Sequence, residues 1–171
     1  SLEVFGDYDS ALERAEDIVL ARMPASDAQA GRDAWLGAEA TDAEREAFRG
    51  WLRALQLAAG ERLFAEGDTG CDMFFVESGS LEVVKQTGGR PIRLCKVRAG
   101  AMLGEMALYT GQPRSASAVA VEPCGLLVLT QAARERMQRE EPELAARLDR
   151  QVVLGLAGNL ARTNTLLRLQ A

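Results

Sequence analysis

The stretch Asp72–Val97, DMFFVESGSLEVVKQTGGRPIRLCKV, decides the fold class. It reads as three β-like runs, DMFFVES, SLEVVKQ and PIRLCKV, cut by Gly79 and by the pair Gly88–Gly89. A two-residue Gly-Gly loop is a hairpin pattern, because tight hairpin turns need positive φ at their central positions. Outward from this core, RLFAE precedes it, and SASAVAV and GLLVLT follow. The punctuation between runs comes from Gly60, Gly67–Asp68, Gly100, Gly111 and Pro123–Cys124–Gly125. Short strands at regular spacing with Gly-rich turns predict an antiparallel β-barrel or jelly roll.

Helical patterns flank the strands and make the class α+β. Asp7 or Asp9 is placed to cap a helix running to about Arg22, with apolar positions Leu12, Ala15, Ile18 and Val19. MPASDAQAGRD, residues 23–33, has linker composition. Thr41, with Glu44 three residues on, forms a capping box for a helix predicted to extend through TDAEREAFRGWLRAL. After the strands, QAARERMQRE reads as a short helix, and Pro142 opens a longer one to about Leu169. The expected division is a helix over residues 1–22, a linker over 23–40 and a domain over 41–171.

Composition excludes several functions. The 171 residues carry 20 Lys and Arg against 25 Asp and Glu, a net charge of −5. A general nucleic-acid surface needs a clustered basic field and is not expected. An anionic ligand would have to meet a local positive site. The chain has no histidine, which removes His-based catalysis and the commonest metal ligand. No metal and no cofactor are expected. Cys71, Cys95 and Cys124 form no CxxC pair and read as core thiols of a reducing compartment. No apolar run is long enough to span a bilayer. The chain opens on Ser and not Met, which reads as a piece of a longer protein.

One interval breaks the strand pattern: AGAMLGEMALYTGQPRSASAVA, residues 99–120. A helical turn, GEMALY, sits between two β-like runs and leads into a Gly-Gln-Pro-Arg-Ser loop. Backbone N–H groups at the start of such a turn suit a phosphate. Arg114 offers a planar fork for two phosphate oxygens. Glu105, acceptor-only when ionised, suits a sugar hydroxyl. Gly104 allows close approach to the backbone.

This segment resembles the phosphate-binding cassette of the cyclic-nucleotide-binding domain family, roughly Gly-Glu-x-Ala-Leu, a short spacer, then Pro-Arg and a small residue. Gly104, Glu105, Ala107, Leu108, Pro113, Arg114 and Ser115 fit that pattern. GERLFAEGD and MFFVESGSLEV resemble the family's first strands through Gly60, Glu61, Phe64, Gly67, Asp68 and Gly79. The resemblance covers residues from about 55 to 170.

It implies a sensor domain of the catabolite-activator type in which Glu105 accepts the ribose 2′-hydroxyl and Arg114 binds the cyclic phosphate. The amides of Met106, Ala107, Ser115 or Ala116 would support it. Val83, Met102 and Leu103 are candidate base contacts. Leu103 departs from the aromatic often found before the Gly-Glu pair. In the last helix Asn159 falls where such domains place a polar base contact, with Thr163 one turn on and Arg162 beside it. In the family, Thr after the cassette Arg goes with cyclic GMP and a small apolar residue with cyclic AMP. Ser115 stands between, and cyclic AMP is favoured. The acidic Glu61 and Asp68 are expected at turns, and no catalysis is expected.

Residues 1–22 resemble the closing helix of the STAS domain of sulfate-permease-type anion transporters, through Phe5, Asp9, Ala11, Leu12, Glu13, Glu16 and Asp17. This resemblance implies a regulatory domain on the cytoplasmic side of a membrane anion transporter, tethered through the rest of that polypeptide. A homodimer is a possible assembly. The alternatives are the sensor half of a transcription regulator and a fold that no longer binds ligand. The chain ends soon after its last helix, without a helix-turn-helix reader of DNA, so nucleic acid is not an expected partner.

Overall fold

In a computed structural model of the protein, residues 34–169 are described, with side chains described up to residue 158 of the final helix except that of Thr87. A 3₁₀ turn (Ala34–Leu36) leads into α1 (Asp42–Arg49) and the strands β1 (Arg53–Leu57), β2 (Arg62–Phe64), β3 (Met73–Ser78), β4 (Ser80–Thr87), β5 (Arg90–Arg98) and β6 (Met102–Leu103). Then come α2 (Glu105–Thr110), β7 (Ser117–Ala120), β8 (Cys124–Leu129), α3 (Gln131–Glu140) and α4 (Pro142–Leu169).

The strands form two four-stranded antiparallel sheets, in the orders β1-β8-β3-β6 and β2-β7-β4-β5. The expected barrel is thus a jelly-roll sandwich of two separate sheets. The apolar runs MFFV and CGLLVL explain the layering. In the first sheet, Phe74, Val76, Leu126 and Val128 point between the sheets, where they meet Leu81, Leu103, Ala118 and Ala120. Met73, Phe75, Leu127 and Leu129 point the other way, onto the helices. Side chains alternate across a strand, so a strand covered on both faces is apolar at every position. The second sheet has one solvated face, and its edge strand β5 carries exposed Ile92 and Leu94. Leu94 is the extra residue of a bulge, since Val83 pairs with Cys95 and Val84 with Arg93.

Gly88 and Gly89 form the β4–β5 turn with φ of 59° and 78°, as the sequence predicts. Thr41 and Glu44 close a reciprocal capping box on α1. The α1 helix ends six residues earlier than its sequence pattern predicts. Gly50 caps it, two tight turns follow at Trp51 and Leu52, and Arg53–Leu57 pairs with β8 along its whole length. A full ladder with a central strand outweighs the helical preference of Leu and Arg.

The predicted linker also reaches too far. Trp35 and Leu36 are buried at 3% and 1% exposure, and Trp35 packs on Phe75 with ring centroids 5.1 Å apart. The core therefore begins before residue 41. Of the three cysteines, Cys124 is buried and Cys71 half-buried, but Cys95 is exposed on the edge strand, contrary to the core-thiol expectation. The helix expected over residues 1–22 lies outside the described residues. Among the described residues no helix is long and apolar enough to cross a membrane.

Candidate functional site

The site forms where the short helix α2 interrupts the sandwich. Gly104 is its N-cap, with φ of 82° and no side-chain cap. Positive φ favours glycine, and here sterics demand it as well. A Cβ at residue 104 would stand 2.5 Å from Arg114 Nη1 and 2.9 Å from the Asp72 carbonyl oxygen. The first N–H groups of α2 have no intrahelical acceptor, and Gly104 supplies none. Gly111, with φ of 67°, closes the other end.

Arg114 lies buried at 6% exposure. Its Nη1 donates to the Gly104 carbonyl at 3.1 Å and its Nη2 to the Asp72 carbonyl at 2.8 Å. Its guanidinium carbon is 4.6 Å from the Phe64 ring centroid and 5.5 Å from that of Phe74. One ring belongs to each sheet, so the cation sits at the mouth of the sandwich. Its backbone is pinned too, since its N–H donates to Asp68 O and its carbonyl accepts from Gly67 N–H. Burial lowers the guanidinium pKa, opposed by the fields of Asp72, Cys71, Asp68 and Glu105. Among the described residues no carboxylate forms an ion pair with Arg114; its hydrogen bonds go to neutral carbonyls.

Glu105 opens α2 and is half-buried. Burial raises its carboxyl pKa, against its own backbone hydrogen bond and the Arg114 charge. Around it, Ala107 and Ala116 are buried, whereas Met106 and Ser115 are exposed. Leu103 pairs with Phe74 and packs inside the sandwich, with half-buried Val83 against the same cluster. Met102 turns to the helical core instead, and its Cε would lie 3.9 Å from a Cβ at Gly155 of α4. The side chains of Asn159, Arg162 and Thr163 lie outside the described residues.

Sequence reasoning did not assign Phe64, Phe74 or the Asp72 carbonyl to the site. Phe64 stands in register with the family's strands, but its place beneath Arg114 follows from sheet packing. A backbone carbonyl has no sequence signature. Glu61 and Asp68 do serve turns: their carboxylates accept from Ala58 N–H at 2.9 Å and Ala65 N–H at 2.8 Å.

The family model for the cyclic nucleotide-binding domain matches residues 54–141. The chain belongs to the cyclic nucleotide-binding domain family. It is 35% identical over 86 residues to a cAMP-dependent protein kinase regulatory subunit from Yarrowia lipolytica, covering 48% of this chain and 22% of that protein. It is 30% identical over 168 residues to glutaminase 2 of Bradyrhizobium diazoefficiens, covering 95% of this chain and 26% of that protein. The chain thus spans about a quarter of the length of these relatives. The crystal structure of the Thermus thermophilus catabolite activator protein superposes with a TM-score of 0.70 at 27% identity, over 79% of this chain and 62% of that one.

Proposed function

We propose that this chain is the sensing domain of a larger polypeptide, that it binds a cyclic mononucleotide, cyclic AMP in preference to cyclic GMP, and that it performs no catalysis itself. One observation carries the reading: Arg114 is a buried cation whose partners are two neutral carbonyls. A buried charge without a counter-charge is costly. A phosphate at the uncapped start of α2 would offset that cost and meet the helix amides in the same step.

In this reading Arg114 pairs with the cyclic phosphate, and the amides of Met106, Ala107, Ser115 and Ala116 flank it. Glu105 accepts the ribose 2′-hydroxyl. Val83 and Leu103 face the base from the sandwich, and Asn159, Arg162 and Thr163 of α4 close over it. Calorimetric titration with cyclic AMP and cyclic GMP tests the reading. Micromolar or tighter binding with cyclic AMP ahead is expected; a folded domain that binds neither nucleotide overturns it.

Two contexts for the output have separate support. The resemblance of residues 1–22 to a STAS helix supports a cytoplasmic domain tethered to an anion transporter at the membrane. The match to glutaminase 2 runs over 95% of the chain and supports attachment to an enzyme. Sequencing the gene upstream separates them: membrane spans favour the first, and a catalytic domain without spans favours the second.

A further inference from the structure

Three helices meet at one polar contact behind the nucleotide site. Tyr109, near the end of α2, donates its hydroxyl hydrogen to Asp149 Oδ1 on α4. The same oxygen accepts from Arg134 Nη2 of α3 at 3.1 Å. The Arg134 guanidinium lies over the Tyr109 ring, 4.4 Å from its centroid. Arg134 Nε is buried without a hydrogen-bond partner among the described residues. The tyrosine ring and the carboxylate, together with the Gln138 side-chain oxygen at 3.2–3.3 Å from the two Nη atoms, define where this arginine sits.

The helix α2 has six residues. A helix so short does not hold itself in place; its anchors decide its position. One is apolar: Leu108 lies in the buried cluster that holds Met137, Leu144 and Leu148. The other is Tyr109. At the opposite end of the same helix, Gly104 accepts from Arg114. The distance between the α2 amides and the Arg114 fork therefore depends on how firmly the far end is held to α3 and α4. Burial and the nearby Asp149 carboxylate push the Tyr109 pKa up to about 12, so its hydroxyl stays a donor across the physiological range.

We infer that Tyr109, Asp149 and Arg134 are positioning residues for the nucleotide: they clamp the phosphate-facing helix to the terminal helix α4 and couple ligand binding to it. The inference rests on the sensor reading above. Linkage makes it reciprocal, since a ligand that fixes α2 also strengthens its hold on α4.

The test uses the full chain, with cyclic AMP as probe. Tyr109→Phe keeps the ring under Arg134 and deletes only the hydroxyl; Asp149→Ala removes the acceptor. Each variant should weaken cyclic AMP binding by about 3- to 10-fold. The double variant should be no weaker than the worse single one, because both remove the same contact. Hydrogen exchange in residues 143–152 should slow with saturating cyclic AMP in the wild type, and this slowing should be lost in Tyr109→Phe. If Asp149→Ala fails to fold, Tyr109→Phe alone decides, since Tyr109 is 38% exposed and the change leaves no buried cavity. A folded Tyr109→Phe variant with affinity within twofold of wild type, or with the wild-type exchange response, overturns the clamp while the sensor reading stands. A wild-type chain that binds neither cyclic AMP nor cyclic GMP overturns both.

Discussion

Arg114 Nη1 donates to the carbonyl oxygen of Gly104 across 3.1 Å, and that same carbonyl accepts from Leu108 N–H at 3.3 Å within α2. The cation and the helix are therefore joined at one atom. A change in either is felt by the other.

Replacing Arg114 tests both functions of its guanidinium. Losing one member of a buried charge pair with the ligand costs about 2–5 kcal/mol, roughly 30- to 4,000-fold in affinity. Arg114→Ala also strands the Asp72 carbonyl and removes one of the two donors to the Gly104 carbonyl, a further loss in stability of about 1–3 kcal/mol. Arg114→Lys should weaken nucleotide binding with a smaller loss of stability, because a point charge cannot reproduce the fork. Calorimetry paired with thermal denaturation separates the two effects. Full affinity in a folded Arg114→Ala protein would remove this arginine from the site.

Gly104→Ala should be among the most damaging single-methyl changes in the protein. The new Cβ meets Arg114 Nη1 at 2.5 Å and the Asp72 carbonyl at 2.9 Å, at a φ of 82°. Strained backbone positions cost about 1–3 kcal/mol before any clash is counted. The variant should unfold at lower urea and lose nucleotide affinity together. Wild-type denaturation with wild-type binding contradicts the geometry.

Glu105 gives a pH-dependent prediction. Its pKa is raised in the folded state, mainly by burial, so the folded protein holds this proton more tightly than the unfolded chain does. The group's contribution to stability is therefore complete below the unfolded-state value of about 4.3 and is lost as pH rises through the raised folded value. Glu105→Gln should flatten that part of the stability curve and stabilise the free protein at neutral pH. It should also reduce the preference for cyclic AMP over its 2′-deoxy analogue, which a charged hydrogen bond of about 1.5–3 kcal/mol predicts for the wild type. Chemical denaturation across pH checks the first effect and competition binding the second.

The terminal helix carries two glycines that packing does not require. A Cβ at Gly155 would meet only Met102 Cε, at 3.9 Å, and one at Gly158 would meet nothing within 4 Å. Glycine inside a helix costs about 0.8–1 kcal/mol relative to alanine. Gly155→Ala and Gly158→Ala should each slow exchange in this part of α4 without loss of fold. Cutting the chain after Arg150 should weaken nucleotide binding several-fold if this helix closes over the base. Normal affinity in the folded, truncated protein places the closing element elsewhere.

The sequence by itself determined the strand class, the capping box at Thr41 and Glu44, the Gly88–Gly89 hairpin, both C-terminal helices and the short helical insert that Gly104 opens. These rest on local rules: side-chain period, turn chemistry and spacing along a few residues. The tertiary structure decided what those rules do not reach. RALQL became a strand only because β8 offered it a complete ladder. Trp35 and Leu36 joined the core because Phe75 and α4 lay beneath them. Phe64 from one sheet and Phe74 from the other meet under Arg114, and Tyr109 finds Asp149 forty residues away. Contacts between residues far apart in the chain depend on how the layers pack, and no periodicity within one segment encodes that.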